Sequence, residues 1–326
     1  MNRCTLRNGA LALMCTLLLA SIEDNEVSAG PPLFVTNNLT NDQAGGRLVE
    51  YDGSTGQFVQ LIDNLSTPRG IVVGPNGNLF VASGTGNCVL EYAFDNGLQP
   101  TTFVAANAGG LRTPYGLTFG PDGNLYVTSF RQELIVYRFD GETGAFVDIF
   151  ASYPLEPGWA RDLVFGPDGD LYVSTLFLGV FRFDGISGEP LGSFAFGEAL
   201  GPMAGITFGP DGELYAAASE LDAVVRFDGE TGEFIDTFVA AGSGGLNEPS
   251  GIGFGPDGNF YVASAFSDAI LRYDGKNGAF LDAFASDSLD VPLFFVFIPE
   301  PTCLLLTFTG ACASMGFATR MRRRSA

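Results

Sequence analysis

A nine-residue phrase recurs five times along the chain, and this repetition constrains the fold more than any other feature. The copies are VGPNGNLFV (73–81), FGPDGNLYV (119–127), FGPDGDLYV (165–173), FGPDGELYA (208–216) and FGPDGNFYV (254–262). Their first glycines are 46, 46, 43 and 46 residues apart. A period in this range is typical of propeller blades and of solenoid coils.

A second phrase interleaves with the first and shows that there are six units. Its copies are EYDGSTGQF (50–58), YAFDNGLQP (92–100), RFDGETGAF (138–146), RFDGISGEP (182–190), RFDGETGEF (226–234) and RYDGKNGAF (272–280). Both phrases combine turn-forming Pro, Asp or Gly with flanking β-forming residues, so each predicts a hairpin. Each unit thus predicts four strands, such as GLTFG, LYVTS, LIVYRF and AFVDIF, with no helical periodicity between them.

The two ends of the repeat region favour a closed ring over an open solenoid, whose ends would need polar caps. The chain enters partway through a unit, because LFVTN (33–37) matches LYVTS (125–129). The missing strand stands at the other end, where VPLFFVFIP (291–299) fits the register of EPSGIGFGP (248–256). We therefore predict an all-β, six-bladed β-propeller over residues 30–298, with its first blade completed by the C-terminal strand.

Certain residues recur at one site in each unit and are expected to be structural. The phenylalanines that open the first phrase and the tyrosines near its end predict packing between blades. Arginines recur at the start of the second phrase and predict ion pairs with nearby aspartates. The arginines are Arg138, Arg182, Arg226 and Arg272.

The first 29 residues predict a secretory signal. Arg3 and Arg7 precede an apolar run, and small residues follow, with cleavage expected after Ala20 or Ala29. Near the other end, eighteen uncharged residues (302–319) predict a transmembrane helix, and the arginine cluster after it is expected to keep the end of the chain in the cytoplasm. That cluster is Arg320, Arg322, Arg323 and Arg324.

The tail as a whole, residues 299–326, resembles the PEP-CTERM sorting signal of Gram-negative exopolysaccharide producers. Pro299, Glu300 and Pro301 supply the motif, and the apolar stretch and the arginines follow in the expected order. The resemblance implies processing by an exosortase-type membrane protease and a final location in the cell envelope or outside the cell. An ordinary C-terminal membrane anchor is the alternative.

Charge and cysteine content restrict the function. The chain has 37 acidic residues against 16 basic ones and no histidine, which gives a formal net charge of −21. Such a surface repels phosphate backbones, so no nucleic acid partner is expected. Cys88 is the only cysteine between the two terminal segments, so no disulfide is predicted within the propeller.

Candidate ligand-binding residues come from the face opposite the repeated turns. There the loops between second and third strands, and the links between blades, differ from one unit to the next. The candidates are Arg69, Tyr115, Arg131, Trp159, Arg161, Asp162 and Glu220. Trp159 is the only tryptophan, and a merely packed tryptophan is the equal alternative there.

A calcium site is a further possibility on this face. Hard oxygen ligands for Ca²⁺ would come from Asp162, Glu220, Asp222 and Asp268. The sequence does not fix how far apart these carboxylates lie. No other cofactor is indicated.

The two phrases together resemble the NHL-type and SMP-30/gluconolactonase-like six-bladed propellers, including the Vgb-type lyases, over residues 33–299. The resemblance implies, for the lactonases, a metal-binding glutamate early in the first inner strand, which here reads VPLFFVF without an acid. For the lyases it implies histidine, which this chain lacks. We therefore expect a non-catalytic, exported scaffold that binds carbohydrate or protein, with a Ca²⁺-dependent lactonase or hydrolase as the alternative.

Overall fold

The computed structural model describes residues 30–39, 45–154, 158–197 and 200–299. The predicted signal peptide, transmembrane helix and sorting motif lie outside these residues, except for Pro299. Within the described ranges, no helix has the length and apolar character needed to cross a membrane.

The described chain forms six antiparallel sheets of four strands, the blades of a propeller. Blade 1 contains β1 (Pro32–Asn38), β2 (Gly46–Asp52), β3 (Phe58–Leu65) and β24 (Pro292–Phe297). Blade 2 contains β4 (Pro68–Val73), β5 (Leu79–Ser83), β6 (Cys88–Tyr92) and β7 (Pro100–Val104). Blade 3 contains β8 (Pro114–Phe119), β9 (Leu125–Ser129), β10 (Leu134–Phe139) and β11 (Phe146–Tyr153).

The remaining blades follow the same order. Blade 4 contains β12 (Ala160–Phe165), β13 (Leu171–Thr175), β14 (Val180–Phe183) and β15 (Pro190–Ala195). Blade 5 contains β16 (Met203–Phe208), β17 (Leu214–Ala218), β18 (Ala223–Phe227) and β19 (Phe234–Val239). Blade 6 contains β20 (Pro249–Phe254), β21 (Phe260–Ser264), β22 (Ala269–Tyr273) and β23 (Phe280–Ala285). Short 3₁₀ turns lie at Phe94–Asn96, Ala108–Gly110, Ser219–Leu221 and Ser243–Gly245.

The ring closes through the C-terminal strand, as predicted. β24 pairs antiparallel with β1, placing Phe295 opposite Val35, and forms the inner edge of blade 1. The six inner strands β4, β8, β12, β16, β20 and β24 contact one another in a closed cycle around the axis. The sequence-based prediction of a six-bladed propeller with this closure is confirmed.

The repeated turn is held by the side chain of its own aspartate. In blade 3 the carboxylate of Asp122 accepts the Tyr126 hydroxyl at 2.9 Å and the Asn124 backbone N–H at 3.0 Å. Gly123 supplies the left-handed φ of 79° that the turn needs. Asp168 with Tyr172, Asp211 with Tyr215 and Asp257 with Tyr261 repeat the contact. The turn thus recurs because blades 2 to 6 each join their first two strands in the same way.

The same tyrosines join neighbouring blades, which confirms the predicted aromatic packing. The Tyr126 ring meets the Phe165 ring of the next blade edge to face, with centroids 5.0 Å apart. At the closing interface, Phe297 of β24 contacts Tyr261 at 4.9 Å. Burying an aromatic side chain of this kind stabilises the fold by about 2 to 3 kcal/mol. The equivalent ring pairs are Tyr172 with Phe208 between blades 4 and 5, and Tyr215 with Phe254 between blades 5 and 6.

The recurring arginines form ion pairs on the repeated-turn face, as predicted. Arg226 binds the Asp236 carboxylate with two nitrogens, at 3.2 and 2.8 Å. Arg138 with Asp148 and Arg272 with Asp282 pair in the same way. In blade 4 Gly192 pairs with Arg182 across the sheet, and Arg182 turns instead to Asp168 and Asp170.

Candidate functional site

The second residues of the six inner strands surround one end of the central channel, and we call them the mouth ring. In blade 3, Pro114 pairs with Ser129 and Leu117 with Val127, so Tyr115 and Gly116 bulge out of the ladder. A bulge of this kind re-aims the side chains of its strand. The mouth ring consists of Arg69, Tyr115, Arg161, Ala204, Ser250 and Leu293.

The mouth ring has two unlike halves. Blades 2, 3 and 4 contribute arginine, tyrosine and arginine, whereas blades 5, 6 and 1 contribute alanine, serine and leucine. A binding surface at this end of the channel is therefore cationic and aromatic on one side and small or apolar on the other.

Tyr115 is the centre of the cationic half. The Arg69 guanidinium lies 4.8 Å from its ring centroid, and the Arg161 guanidinium of the next blade lies 5.7 Å from it. Contacts of this length are cation–π interactions. The ring is only 3% exposed. The structure thus brings together three of the predicted binding residues.

Trp159 and Arg131 lie beside this cluster, along a cleft of about 540 Å³. The Trp159 ring meets the Phe130 ring edge to face at 4.7 Å, and Phe130 contacts Tyr115 at 5.3 Å. Arg131 is exposed at the rim of the cleft. The cleft is lined by Phe130, Arg131, Gln132, Glu133, Ile135 and Trp159.

The backbone of Trp159 adopts a left-handed φ of 32°, which is rare for a bulky residue. The residue just before the inner strand has positive φ in blades 1, 2, 3 and 6 as well. The backbone N–H of Trp159 donates to the Arg131 carbonyl at 2.9 Å, and its carbonyl accepts the Leu176 N–H at 3.1 Å. The fold therefore sets this conformation, and the indole side chain is what distinguishes blade 4. The residues with positive φ at this position in blades 2, 3, 6 and 1 are Thr67, Thr113, Glu248 and Val291, respectively.

Several buried polar atoms around the mouth ring have no hydrogen-bond partner within the described part of the chain. They are Nε of Arg69, Nε of Arg161, Nε1 of Trp159, Oγ of Ser250 and Nδ2 of Asn37. Buried polar groups without a partner are costly, and in native proteins they mark places where water or a ligand binds. Their concentration at one end of the channel indicates a binding site there.

Asp162 is close to the cluster in sequence, but its carboxylate is committed to the backbone. One oxygen accepts the Leu163 N–H at 2.9 Å, and the other accepts the Ile206 N–H of blade 5 at 3.0 Å. Desolvation of the carboxylate disfavours its charged form and raises the pKa of Asp162 to about 7. Blades 2, 3, 5 and 6 have glycine at this position, where an added Cβ would press against the next inner strand. Asp162 therefore fastens blade 4 to blade 5.

The structure does not bring the four predicted calcium ligands together. The Asp222 carboxylate accepts the Glu248 N–H at 2.7 Å, and the Asp268 carboxylate accepts the Val291 N–H at 3.0 Å. Each thus holds the link to the following blade, while Glu220 is exposed on a 3₁₀ turn of blade 5. Across the described ranges, no three His, Cys, Asp or Glu side chains are grouped closely enough to hold a metal ion.

The sequence interpretation missed three residues of this site. Phe294 contacts Tyr115 with centroids 5.8 Å apart, Phe130 links Tyr115 to Trp159, and Ser250 belongs to the mouth ring. Aligning the sequences of the six inner strands would have pointed to two of these residues, Ser250 and Phe294. Ser250 aligns with Arg69 in that comparison, and Phe294 stands where four other blades have glycine.

No family model and no curated protein matches this sequence. Solved structures match its fold. A chain from a nidogen–laminin complex is 14% identical, with a TM-score of 0.62 over 82% of this chain and 98% of that one. Virginiamycin B lyase from Staphylococcus aureus with quinupristin is 13% identical, with a TM-score of 0.57 over 81% and 92%. A putative 6-phosphogluconolactonase from Bacteroides uniformis is 16% identical, with a TM-score of 0.56 over 83% and 100%. Likeness at this level of identity shows a shared propeller fold.

Proposed function

We propose that the protein is an exported, non-catalytic propeller that binds carbohydrate or protein at the cell surface or in the extracellular matrix, through the mouth ring and the adjoining cleft. The observation that carries this proposal is the position of Tyr115 between Arg69 and Arg161, next to buried polar atoms that lack partners. Such an arrangement offers positive charge and unused hydrogen-bond donors in one place.

Two further features support a binding role. The recurring arginines of the opposite face are engaged in ion pairs with neighbouring aspartates, whereas the residues of the mouth ring differ from blade to blade. One structural neighbour comes from a nidogen–laminin complex, in which propeller-like architecture occurs in a protein–protein assembly. The proposed export, with exosortase-type processing of the tail and a transient membrane anchor, rests on the terminal sequence motifs.

The experiment is a pull-down of cell-surface polysaccharide and protein with the purified protein. Arg131→Ala removes an exposed positive charge beside the cleft, and Lys276→Ala removes the same charge from an exposed loop on the repeated-turn face. We expect several-fold weaker capture by the Arg131 variant and unchanged capture by the Lys276 variant. Equal capture by both variants, or no capture by the unaltered protein, would contradict the proposal.

The Ca²⁺-dependent lactonase expected as the alternative has less support from this geometry. Both Asp162 oxygens accept backbone N–H groups, and Asp222 and Asp268 each hold a backbone link. Turnover of a lactone panel that requires Ca²⁺ and disappears in Asp162→Ala would establish the hydrolase instead.

A further inference from the structure

The charges of the face that carries the mouth ring, which we call the variable face, are divided between two halves of the propeller. Arginines lie on blades 2, 3 and 4 and on the link between blades 2 and 3, whereas acidic residues lie on blades 5 and 6 and on the links that follow them. On the arginine half, the acidic exceptions among the described residues are Glu133 and Asp162, whose carboxylate is bound to the backbone. The arginines are Arg69, Arg112, Arg131 and Arg161. The acidic residues are Glu220, Asp222, Glu248, Asp268, Asp287 and Asp290.

The exposed charges of the two halves are not neutralised within the part of the chain that the structure describes. Arg112 and Arg131 on one half, and Glu220 and Asp287 on the other, are exposed and form no ion pair with described residues. A face with unpaired positive charge on one side and unpaired negative charge on the other fits a partner with the reverse arrangement. The repeated-turn face differs, because four arginines there each contact two aspartates. They are Arg138, Arg182, Arg226 and Arg272.

The variable face also exposes large apolar side chains, on the side of blades 4 to 6. They lie in the loops between second and third strands and in the link between blades 4 and 5. Blade 3 and the link after it form the cleft of about 540 Å³ beside Trp159. Exposed aromatic side chains and arginines are typical of surfaces that contact another protein. The apolar residues are Phe177, Phe196, Leu221 and Phe266.

A second copy of the same chain presents the reverse arrangement when two variable faces meet. Neighbouring blades are about 60° apart, so blades 2 and 3 lie across the axis from blades 5 and 6. A two-fold axis in the plane of contact, passing through blades 1 and 4, sets blade 2 of one copy on blade 6 of the other and blade 3 on blade 5. Arg131 in the loop of blade 3 then faces Glu220 in the equivalent loop of blade 5.

The same two-fold axis brings apolar side chains to the cleft. Blade 5 and the link before it carry Leu221 and Phe196, and they come to lie over blade 3 and the link after it, which form the cleft beside Trp159. Each copy thus gives the other two exposed apolar side chains and receives the same two in its cleft. A two-fold contact of this kind closes on itself, so it produces a dimer and not a fibre.

We propose that the protein partner of the variable face is a second copy of this chain, in a face-to-face dimer that sets the arginine half of each copy against the acidic half of the other. This inference rests on the proposed binding function and names the partner of that surface. The formal net charge of −21 on each copy opposes association. At physiological ionic strength, charges more than about 8 Å apart are largely screened, whereas facing pairs are closer than that.

The test measures dimerisation of the purified protein by sedimentation velocity over a range of concentrations, at about 0.15 M salt. Arg131→Glu and Glu220→Arg each replace two attractions per dimer with two repulsions, and both side chains are exposed, so the fold should be kept. We expect each variant to weaken dimerisation by about 10-fold or more. Lys276→Glu makes the same change of charge as Arg131→Glu on the repeated-turn face, and should leave dimerisation unchanged.

Combining the two substitutions tests the pairing itself. The double variant with Arg131→Glu and Glu220→Arg has opposite charges at both contacts again, so it should dimerise about as well as the unaltered protein. A mixture of the two single variants should form heterodimers for the same reason, although each variant alone dimerises weakly. A dimer that neither single substitution weakens, or weakened variants that recover in neither combination, would overturn the inference.

The outcomes separate this inference from the proposed function. A protein that stays monomeric at every concentration, yet captures surface material in a way that depends on Arg131, overturns the inference alone. A dimer that responds to the charge exchanges, without capture of any other surface protein or polysaccharide, supports the inference and overturns the scaffold role.

Discussion

The ring of Tyr115 in blade 3 meets the ring of Phe294 in blade 1, with centroids 5.8 Å apart, although blade 2 stands between these blades. Two side chains from non-adjacent blades can touch only across the axis. The pair therefore narrows the central channel at the mouth ring, to which Tyr115 belongs.

Removing Phe294 should destabilise the fold substantially. Phe294 is 7% exposed, and replacing a buried phenylalanine with alanine costs about 3 to 5 kcal/mol. Urea unfolding of Phe294→Ala measures the loss in free energy of unfolding. Phe266→Ala is the control, because Phe266 is 61% exposed and its replacement should change stability by less than about 0.5 kcal/mol. Equal stability of the two variants would show that Phe294 is not packed across the axis.

Asp162 should make stability depend on pH. Its pKa is raised from 3.8 in the unfolded chain to about 7 in the folded protein, because burial disfavours the charged carboxylate. Between these values the folded protein binds more protons than the unfolded chain, so the free energy of unfolding falls as pH rises through this window. Asp162→Asn removes this contribution.

The measurement is urea unfolding of both proteins at several pH values. The stability of the unaltered protein minus that of Asp162→Asn should decrease between pH 3.8 and about 7. A constant difference would mean that Asp162 titrates at an ordinary pKa.

The last glycine of the second phrase should be required for two reasons in every blade except blade 2, where an added Cβ at Gly97 would meet nothing. Gly232 has a φ of 74°, and an added Cβ would overlap the Phe194 carbonyl oxygen of the preceding blade. Gly212 in the same blade has a φ of 85° with nothing near its Cβ position. We expect Gly212→Ala to cost about 1 kcal/mol from backbone strain, and Gly232→Ala to cost about 1 to 3 kcal/mol more from overlap. Thermal unfolding compares them, and equal losses would exclude the interblade contact.

The ion pair of Arg226 and Asp236 should contribute little to stability. Both side chains are partly exposed, so a double-mutant cycle with alanine should give a coupling of about 0.2 to 1 kcal/mol, reduced in about 1 M salt. The same double-mutant cycle on Arg182 and Asp170 measures the coupling energy in blade 4. There Gly192 stands opposite the arginine in place of an aspartate. A coupling that salt does not change would indicate a desolvated pair.

Ring closure can be tested by moving β24 rather than removing it. Phe297 pairs with Leu33, so a short turn can connect the end of β24 to the start of β1. A circular permutant with this turn, and with new ends between β3 and β4, should unfold at a temperature close to that of the unaltered protein. Deletion of residues 291–299 should lower it markedly, because β1 becomes an open edge and Phe297 is lost from its interface with Tyr261. Similar melting of the deletion variant would contradict closure.

The architecture could be predicted from the sequence because its determinants are local and repeated. Asp122 and Gly123 make a turn from chemistry within five residues, and five copies at a regular period leave few ways to arrange the strands. The register match between residues 291–299 and 248–256 was sufficient to identify the closing strand.

The site was only partly predictable because it depends on contacts between distant blades. Arg69, Tyr115 and Arg161 were chosen for their place on the variable face, and their stacking requires the curvature of the ring. Asp162 was expected to face a ligand or a metal, but the bulge in β12 turns its carboxylate to the Ile206 N–H. The contact of Phe294 with Tyr115 joins residues 179 positions apart and has no local signal.

The bulges of the inner strands separate what the mouth ring recognises from what holds the propeller together. In blade 3 the bulge is held by the Thr128 hydroxyl, which accepts the Gly116 N–H at 2.8 Å, and the Tyr115 side chain takes no part in that bond. Residues at the six equivalent positions can thus be exchanged among blades while the scaffold is kept. Moving the arginine, tyrosine, arginine series by one blade, onto blades 3, 4 and 5, would therefore turn the binding specificity by about 60° around the axis.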